Sequence, residues 1–212
     1  MFSFLFKKKT KVSYTRYPDK TWEKKIHKYT ALCELVKQET SSYPIVVTFF
    51  SKTRQEVKNA LENAGLEFKH LESIHGNLPN DKSILLISAE LLMQTNTIKA
   101  FSSIPKNISF HFAEHYPKSS VEENYLSQLN QLPGKSTVHF YNAIEEPFFL
   151  HFGGERIIDL LTRLGVKEQE FISHKMIDNS IQNGQKKIDK KVQTEIKATS
   201  AEDWFSKNIY PF

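Results

Sequence analysis

The sequence predicts an α/β fold: a doubly wound, mostly parallel sheet with a helical carboxyl-terminal extension. Three observations carry that expectation. Short apolar runs at residues 45–50 and 83–88 lack polar alternation, as strands buried on both faces do. Helical stretches separate successive strands, which calls for right-handed parallel crossovers. Beyond residue 144 the apolar spacing is helical throughout.

A chain of 212 residues can bury a core without disulfides or metals, and its single cysteine, Cys33, cannot form an intramolecular bridge. No apolar run approaches the ~20 residues that span a bilayer. The start, Met1-Phe-Ser-Phe-Leu-Phe-Lys-Lys-Lys9, lacks the order of a secretory signal, so a cytoplasmic protein is expected. Residues 1–37 hold ten Lys/Arg against three Asp/Glu (+7); the rest hold nineteen against twenty-one (−2). The basic charge is thus confined to the front, unlike a nucleic-acid footprint spread over a domain.

Three segments follow: residues 1–20, an α/β domain over 21–143, and the helical extension over 144–212. In the first, Phe2, Phe4, Leu5 and Phe6 precede Lys7, Lys8, Lys9 and Lys11. This suits weak contact of residues 1–11 with a membrane surface, although a frayed terminus capping the domain is the favoured reading. Thr21 is placed to cap a helix from Trp22 to Gln38 whose face is Ile26, Tyr29, Leu32, Cys33 and Val36. Cys33 there reads as a packed small hydrophobe. The strand at 45–50 leads to a helix over 52–64, capped by Ser51 and stopped by Gly65. A strand over 67–71, a loop containing His75 and Gly76, the strand at 83–88 and a helix from Ala89 to about Phe101 come next. Ile108 to Asn142 then reads as strand, turn, helix, turn, strand, with Val121, Tyr125, Leu126 and Leu129 on the helical face.

Two motifs imitate active chemistry. Gly134-Lys-Ser136 has the end of a phosphate-binding loop, but Leu129 stands where its first glycine belongs, and a helix precedes where a strand is required. His111 and His115 would sit about 13 Å apart along a strand, too far to share one zinc, so no metal site is expected.

The strand–turn–helix of 108–142 resembles the last segment of the second RecA-like domain of superfamily 2 helicases and motors. Phe140, Tyr141, Glu145, Phe152, Gly153 and Arg156 are similar to a segment of the SecA preprotein-translocase ATPase, where a "FYLS" strand leads to "FG-x-x-R". Ile172, Ile181, Gln185, Lys186 and Lys187 resemble the beginning of its long scaffold helix. The resemblance covers Trp22 to Val192. It implies a RecA-like fold and places nucleotide-facing positions at Glu90, Gln128 and Gln131, with His75 and Gly76 on a possible ligand-side loop. Arginines that would reach ATP in that family are replaced here by Gln128 and Gln131, and the P-loop domain is missing.

The expectation is therefore a catalytically inactive SecA-like domain with no catalytic residue and no cofactor, ATP included. It would bind a protein partner, either translocation-related or a P-loop ATPase domain, in the cytoplasm and peripherally at the inner membrane. Two alternatives are a helicase-like nucleic-acid binder and one half of a split ATPase. The stripe Ile177, Ile181, Ile188, Val192 and Ile196 predicts a long helix interrupted by Gly184 at a cost of about 1 kcal/mol. Thr199-Ser200 should cap a last turn, and Trp204, Phe205, Tyr210 and Phe212 are expected to fold back on the core rather than to form a docking patch.

Overall fold

The computed structural model describes residues 13–74, 78, 83–104, 107–132, 134–152, 154–163 and 165–210. His75, Gly76, Gly153, Phe212 and the aromatic and lysine residues of 1–11 lie outside them. The side chain of Arg156, in a described helix, is also outside them.

Among the described residues seven strands form the sheet: β1 (Tyr14–Arg16), β2 (Lys20–Trp22), β3 (Ser42–Thr48), β4 (Phe68–Leu71), β5 (Ile84–Ser88), β6 (Asn107–Phe112) and β7 (Ser136–Ala143). Their order is β1-β7-β6-β3-β5-β4, with β2 also on β7, and every strand pairing is parallel. The chain winds outward from β3 to β4, returns through β5, crosses β3 to β6 and continues to β7. Winding in both directions puts helices on both faces, as the apolar runs predict.

Alternation along each strand sorts the two cores. Ile45, Val47, Leu85, Ile87, Phe110, Phe112 and Phe140 face helices α3 (Thr95–Ser102) and α4 (Ser119–Gln128) through Ile98, Phe101 and Leu126. Val46, Leu86, Ala113 and Tyr141 face α1 (Lys25–Gln38) and α2 (Ser51–Asn63) through Leu32, Cys33, Val57 and Leu61. Cys33 is buried, and burial pushes its thiol up to about 11. Gly65 after α2 adopts φ of 63°, the left-handed stop expected of it, and Gly165 after α6 (Gly154–Arg163) adopts 67° in the same role.

A third core caps the carboxyl ends of the strands. There Phe50 and Ile144 meet Phe148 and Phe149 of α5 (Pro147–His151), Ile177, Ile181 and Ile188 of α7 (Lys175–Lys191), and Trp204 and Phe205 of α8 (Ala201–Asn208). The fresh cap is present: Ser200 Oγ accepts the Asp203 N–H at 3.0 Å, and the Asp203 carboxylate accepts the Thr199 N–H at 3.0 Å.

Several expectations need correction. Thr21 does not cap α1. It lies in β2 opposite Asn142, and its backbone exchanges two hydrogen bonds with Ile172, so the helix begins three residues after Trp22. Residues 14–16 and 20 are strand rather than frayed terminus. The helix expected over 89–101 is a 3-10 turn, Ala89–Met93, followed by α3, because Gln94 is extended at φ −87°, ψ 125°. β3 ends at Thr48, since a carboxylate rather than a strand takes the amides of Phe49 and Phe50. Ile196 leaves the apolar stripe: α7 stops at Lys191, and Ile196 is 56% exposed. Gly184 is a packing requirement rather than an interruption, because a Cβ there would meet the Phe148 and Phe152 rings at 2.7 and 2.9 Å.

Candidate functional site

Ligands of open parallel sheets bind outside the carboxyl ends of the strands, where the winding direction changes. Here that place lies beyond β3 and β6, between Phe49-Phe50-Ser51 and Ala113-Glu114-His115. The first turn of α2 would offer its free N–H groups to an anion. The chain fills it from within. Glu114 Oε1 accepts the N–H groups of Phe49 (2.9 Å) and Phe50 (3.0 Å), and its Oε2 accepts the Thr53 hydroxyl at 2.6 Å. The Thr199 carbonyl, just ahead of α8, accepts the Lys52 N–H at 3.0 Å. Burial pushes the Glu114 carboxyl up to about 7, against the opposing pull of Thr53, Lys28 and the Phe50 amide.

Lys28 is wholly buried beside this carboxylate. Its ammonium donates to the Ala113 carbonyl at 2.8 Å and pairs with Glu146, whose other oxygen accepts the Ala143 N–H at 2.8 Å. The cavity left between Thr53, Glu114, Asn142, Glu146 and Phe149 measures about 30 Å³, room for a water molecule and little more. Glu202 of α8 closes the outside with ion pairs to Lys25 (3.0 Å) and Lys52 (3.4 Å).

One turn further, a buried charged network joins five parts of the chain. His115 Nε2 lies 2.8 Å from Asp19, and its Nδ1 lies 2.8 Å from Glu122. Arg16 Nη2 donates to Asp19 at 3.2 Å, and Gln185 of α7 donates to Glu122 at 3.0 Å and to the Tyr116 carbonyl at 2.9 Å. Burial alone would lower the imidazole; Glu122 and Asp19 outweigh it and hold His115 up to about 9. Burial likewise acts to raise Asp19, but His115 and Arg16 keep it below the usual carboxylate range. The side chains of His115, Asp19 and Glu122 are under 5% exposed, so the centre of the network clamps elements together, and Arg16, 31% exposed, covers its outer side.

Of the residues singled out in the sequence, Phe140 and Gln185 touch this clamp. His115 stacks on Phe140 at 4.2 Å, and the Arg16 guanidinium lies 4.6 Å from the same ring. Tyr141 hydrogen-bonds His111 at 2.8 Å, so the two histidines of the apparent metal motif go to separate partners. Glu145 accepts the Lys25 N–H at the start of α1, and Phe152 packs on Phe148 at 5.0 Å. Gln185 is part of the clamp itself.

The positions expected to face nucleotide lie elsewhere. Glu90 is exposed on the 3-10 turn, and after burial its charge is the next influence raising the Tyr125 hydroxyl on α4. Gln131 donates to Gln128 at 2.7 Å, and Gln128 donates to Ser127 at 3.4 Å. Among the described residues no hydrogen bond joins Glu90 to either amide. Asp19, Glu114 and His115 are the residues that sequence reasoning missed. Glu122 left a signal, since it shares the i, i+4, i+7 row of Leu126 and Leu129 and therefore points at the core.

No protein-family model matches the chain. It is 40% identical over 57 residues (27% of the chain, 6% of the relative) to the protein translocase subunit SecA of Alkaliphilus oremlandii. The corresponding protein of Acidithiobacillus ferrooxidans is 37% identical over 67 residues, covering 28% and 7%. That of Parabacteroides distasonis is 23% identical over 184 residues, covering 81% and 16%. The chain thus spans about a sixth or less of these curated relatives. Its sequence is similar to protein translocase subunit SecA, strongly over a short stretch and weakly over most of its length, on a parallel α/β sheet of the RecA-like kind.

Proposed function

We propose that this chain is a catalytically degenerate SecA-like domain that binds another protein and serves protein translocation. Residues 21–143 supply the RecA-like part, and 144–212 correspond to the start of the SecA scaffold. The observation that carries the reading is the filled crevice: the amides of Phe49 and Phe50, leading into α2, already hold Glu114, and that of Lys52 in its first turn holds the Thr199 carbonyl. Gln128 and Gln131 support it, because two amides bonded to each other carry no charge to offset a triphosphate. The work is done without bound nucleotide. Its place is the cytoplasm, peripheral to the inner membrane, with a translocation component or a P-loop ATPase domain as partner.

Titration calorimetry with ATP, together with affinity capture from native membranes and cytosol, tests this. Negligible heat and co-purification of a translocation component are the expected results. A saturable low-micromolar ATP site on the isolated chain would overturn the degenerate reading.

A further inference from the structure

We propose that the flank of α7 facing α5 is a docking surface for an acidic protein segment that carries an apolar anchor. This rests on the reading of the chain as a protein-binding module. Lys186, Lys187, Lys190 and Lys191 are all exposed, and among the described residues none is in an ion pair. The acidic groups nearby are turned inward: Asp189 accepts from Ser119 and Ser120, and Glu195 accepts from Tyr116 and Trp204. Lysines in the last turn complement the helix dipole, which explains Lys190 and Lys191. Lys186 and Lys187 lie a turn earlier and need another reason.

Met176, Ser180, Gly184, Lys187 and Lys191 follow one another at spacings of four, four, three and four, so they form a single ridge whose middle, Gly184, lies under the Phe148 and Phe152 rings, with the exposed residues on either side. At its start a crevice of about 250 Å³ opens between Phe148, Phe149, Phe152, Ile177 and Ile181, with Met176, 48% exposed, at its mouth. At its end burial and then the Lys191 charge act to lower the His151 imidazole, and Leu150 and Tyr210, next to His151, are 63% and 58% exposed. The ridge runs about 22 Å from Met176 to Lys191 at the usual helical rise. Positive charge at one end and an apolar slot at the other select the partner. A nucleic-acid backbone would use the lysines and leave the slot empty. A membrane is flat, whereas the slot is recessed. An acidic segment with one large apolar side chain uses both.

The test is fluorescence anisotropy of labelled peptides of about ten residues, enough to cover the ridge in extended form. Each has glutamates at one end and a Leu-Phe pair at the other, and both orders are tried. Saturable binding is expected, weakened roughly tenfold or more by Lys187→Glu with Lys191→Glu and by Met176→Asp, and weakened by added salt. The altered side chains are exposed, and an unchanged circular dichroism spectrum verifies the fold. Any of three results overturns the proposal: no saturable binding of either order, equal binding by the variants, or equal binding of peptides with lysine in place of glutamate. So does sedimentation with phosphatidylglycerol vesicles that depends on Lys187 and Lys191 while the peptides fail to bind. Capture of a translocation component that persists in the lysine variant overturns the surface and leaves the proposed function standing.

Discussion

Gly184 of α7 lies so close to Phe148 of α5 that a Cβ on the glycine would fall 2.7 Å from the ring's Cζ. The helix needs its glycine for the neighbour, in spite of the propensity it gives up. Gly184→Ala should gain about 1 kcal/mol of helix propensity and lose roughly 1–3 kcal/mol to overpacking, so urea denaturation should show a net loss. Phe148→Leu in the same chain should return part of that loss. An increase in midpoint for the single variant would contradict the contact.

The clamp around His115 makes stability fall as pH rises. Its folded pKa of about 9 lies above the ordinary value near 6.5, so its stabilisation is complete below 6.5 and disappears as pH passes through 9. The loss should be on the order of 3 kcal/mol, and His115→Gln should flatten urea midpoints across that window.

Glu114 acts in the window below. Its carboxyl, held up to about 7, contributes stability that is complete below its ordinary value of 4.5 and is lost as pH passes through 7. Glu114→Gln keeps an oxygen for the Phe49 and Phe50 amides and cannot ionise. The variant should match the parent near pH 5, exceed it near pH 8, and show little pH dependence between 4.5 and 7.

Trp204 is 1% exposed and donates its indole N–H to Glu195 at 2.8 Å. Trp204→Ala should cost roughly 3–5 kcal/mol, as large-to-small changes in a packed core do. Thermal unfolding should then shift by many degrees. A near-parental midpoint would mean that α8 contributes little to the third core.

Much of the sheet was legible because β3, β5, β6 and β7 carry apolar runs or alternation, signals that act locally. The Ser200 cap was legible for the same reason: its partners lie within three residues. β1 and β2 were not, since three-residue strands such as Lys20-Thr-Trp22 owe their form to β7, about 120 residues on. Thr21 imitated a cap because its true partner, Ile172, is equally remote. The clamp stayed hidden because Arg16, Asp19, His115, Glu122 and Gln185 meet only after folding: Glu122 pointed at the core and Gln185 matched a family position, but nothing local joined them to Asp19 or His115. The filled crevice was invisible too, for Glu114 and Thr199 reach residues 49–53 from distant parts of the chain.

The outer flank of β7 is supplied by the first described strands, and this orders events during synthesis. Residues 14–22 leave the ribosome long before 136–143 exist, so for most of translation they have no ladder to join. Arg16 and Asp19 wait in water until the last strand arrives, and only then can His115 acquire its second carboxylate. The front of the chain is therefore a late participant in folding, and a nascent chain arrested before residue 136 should leave it open to proteolysis.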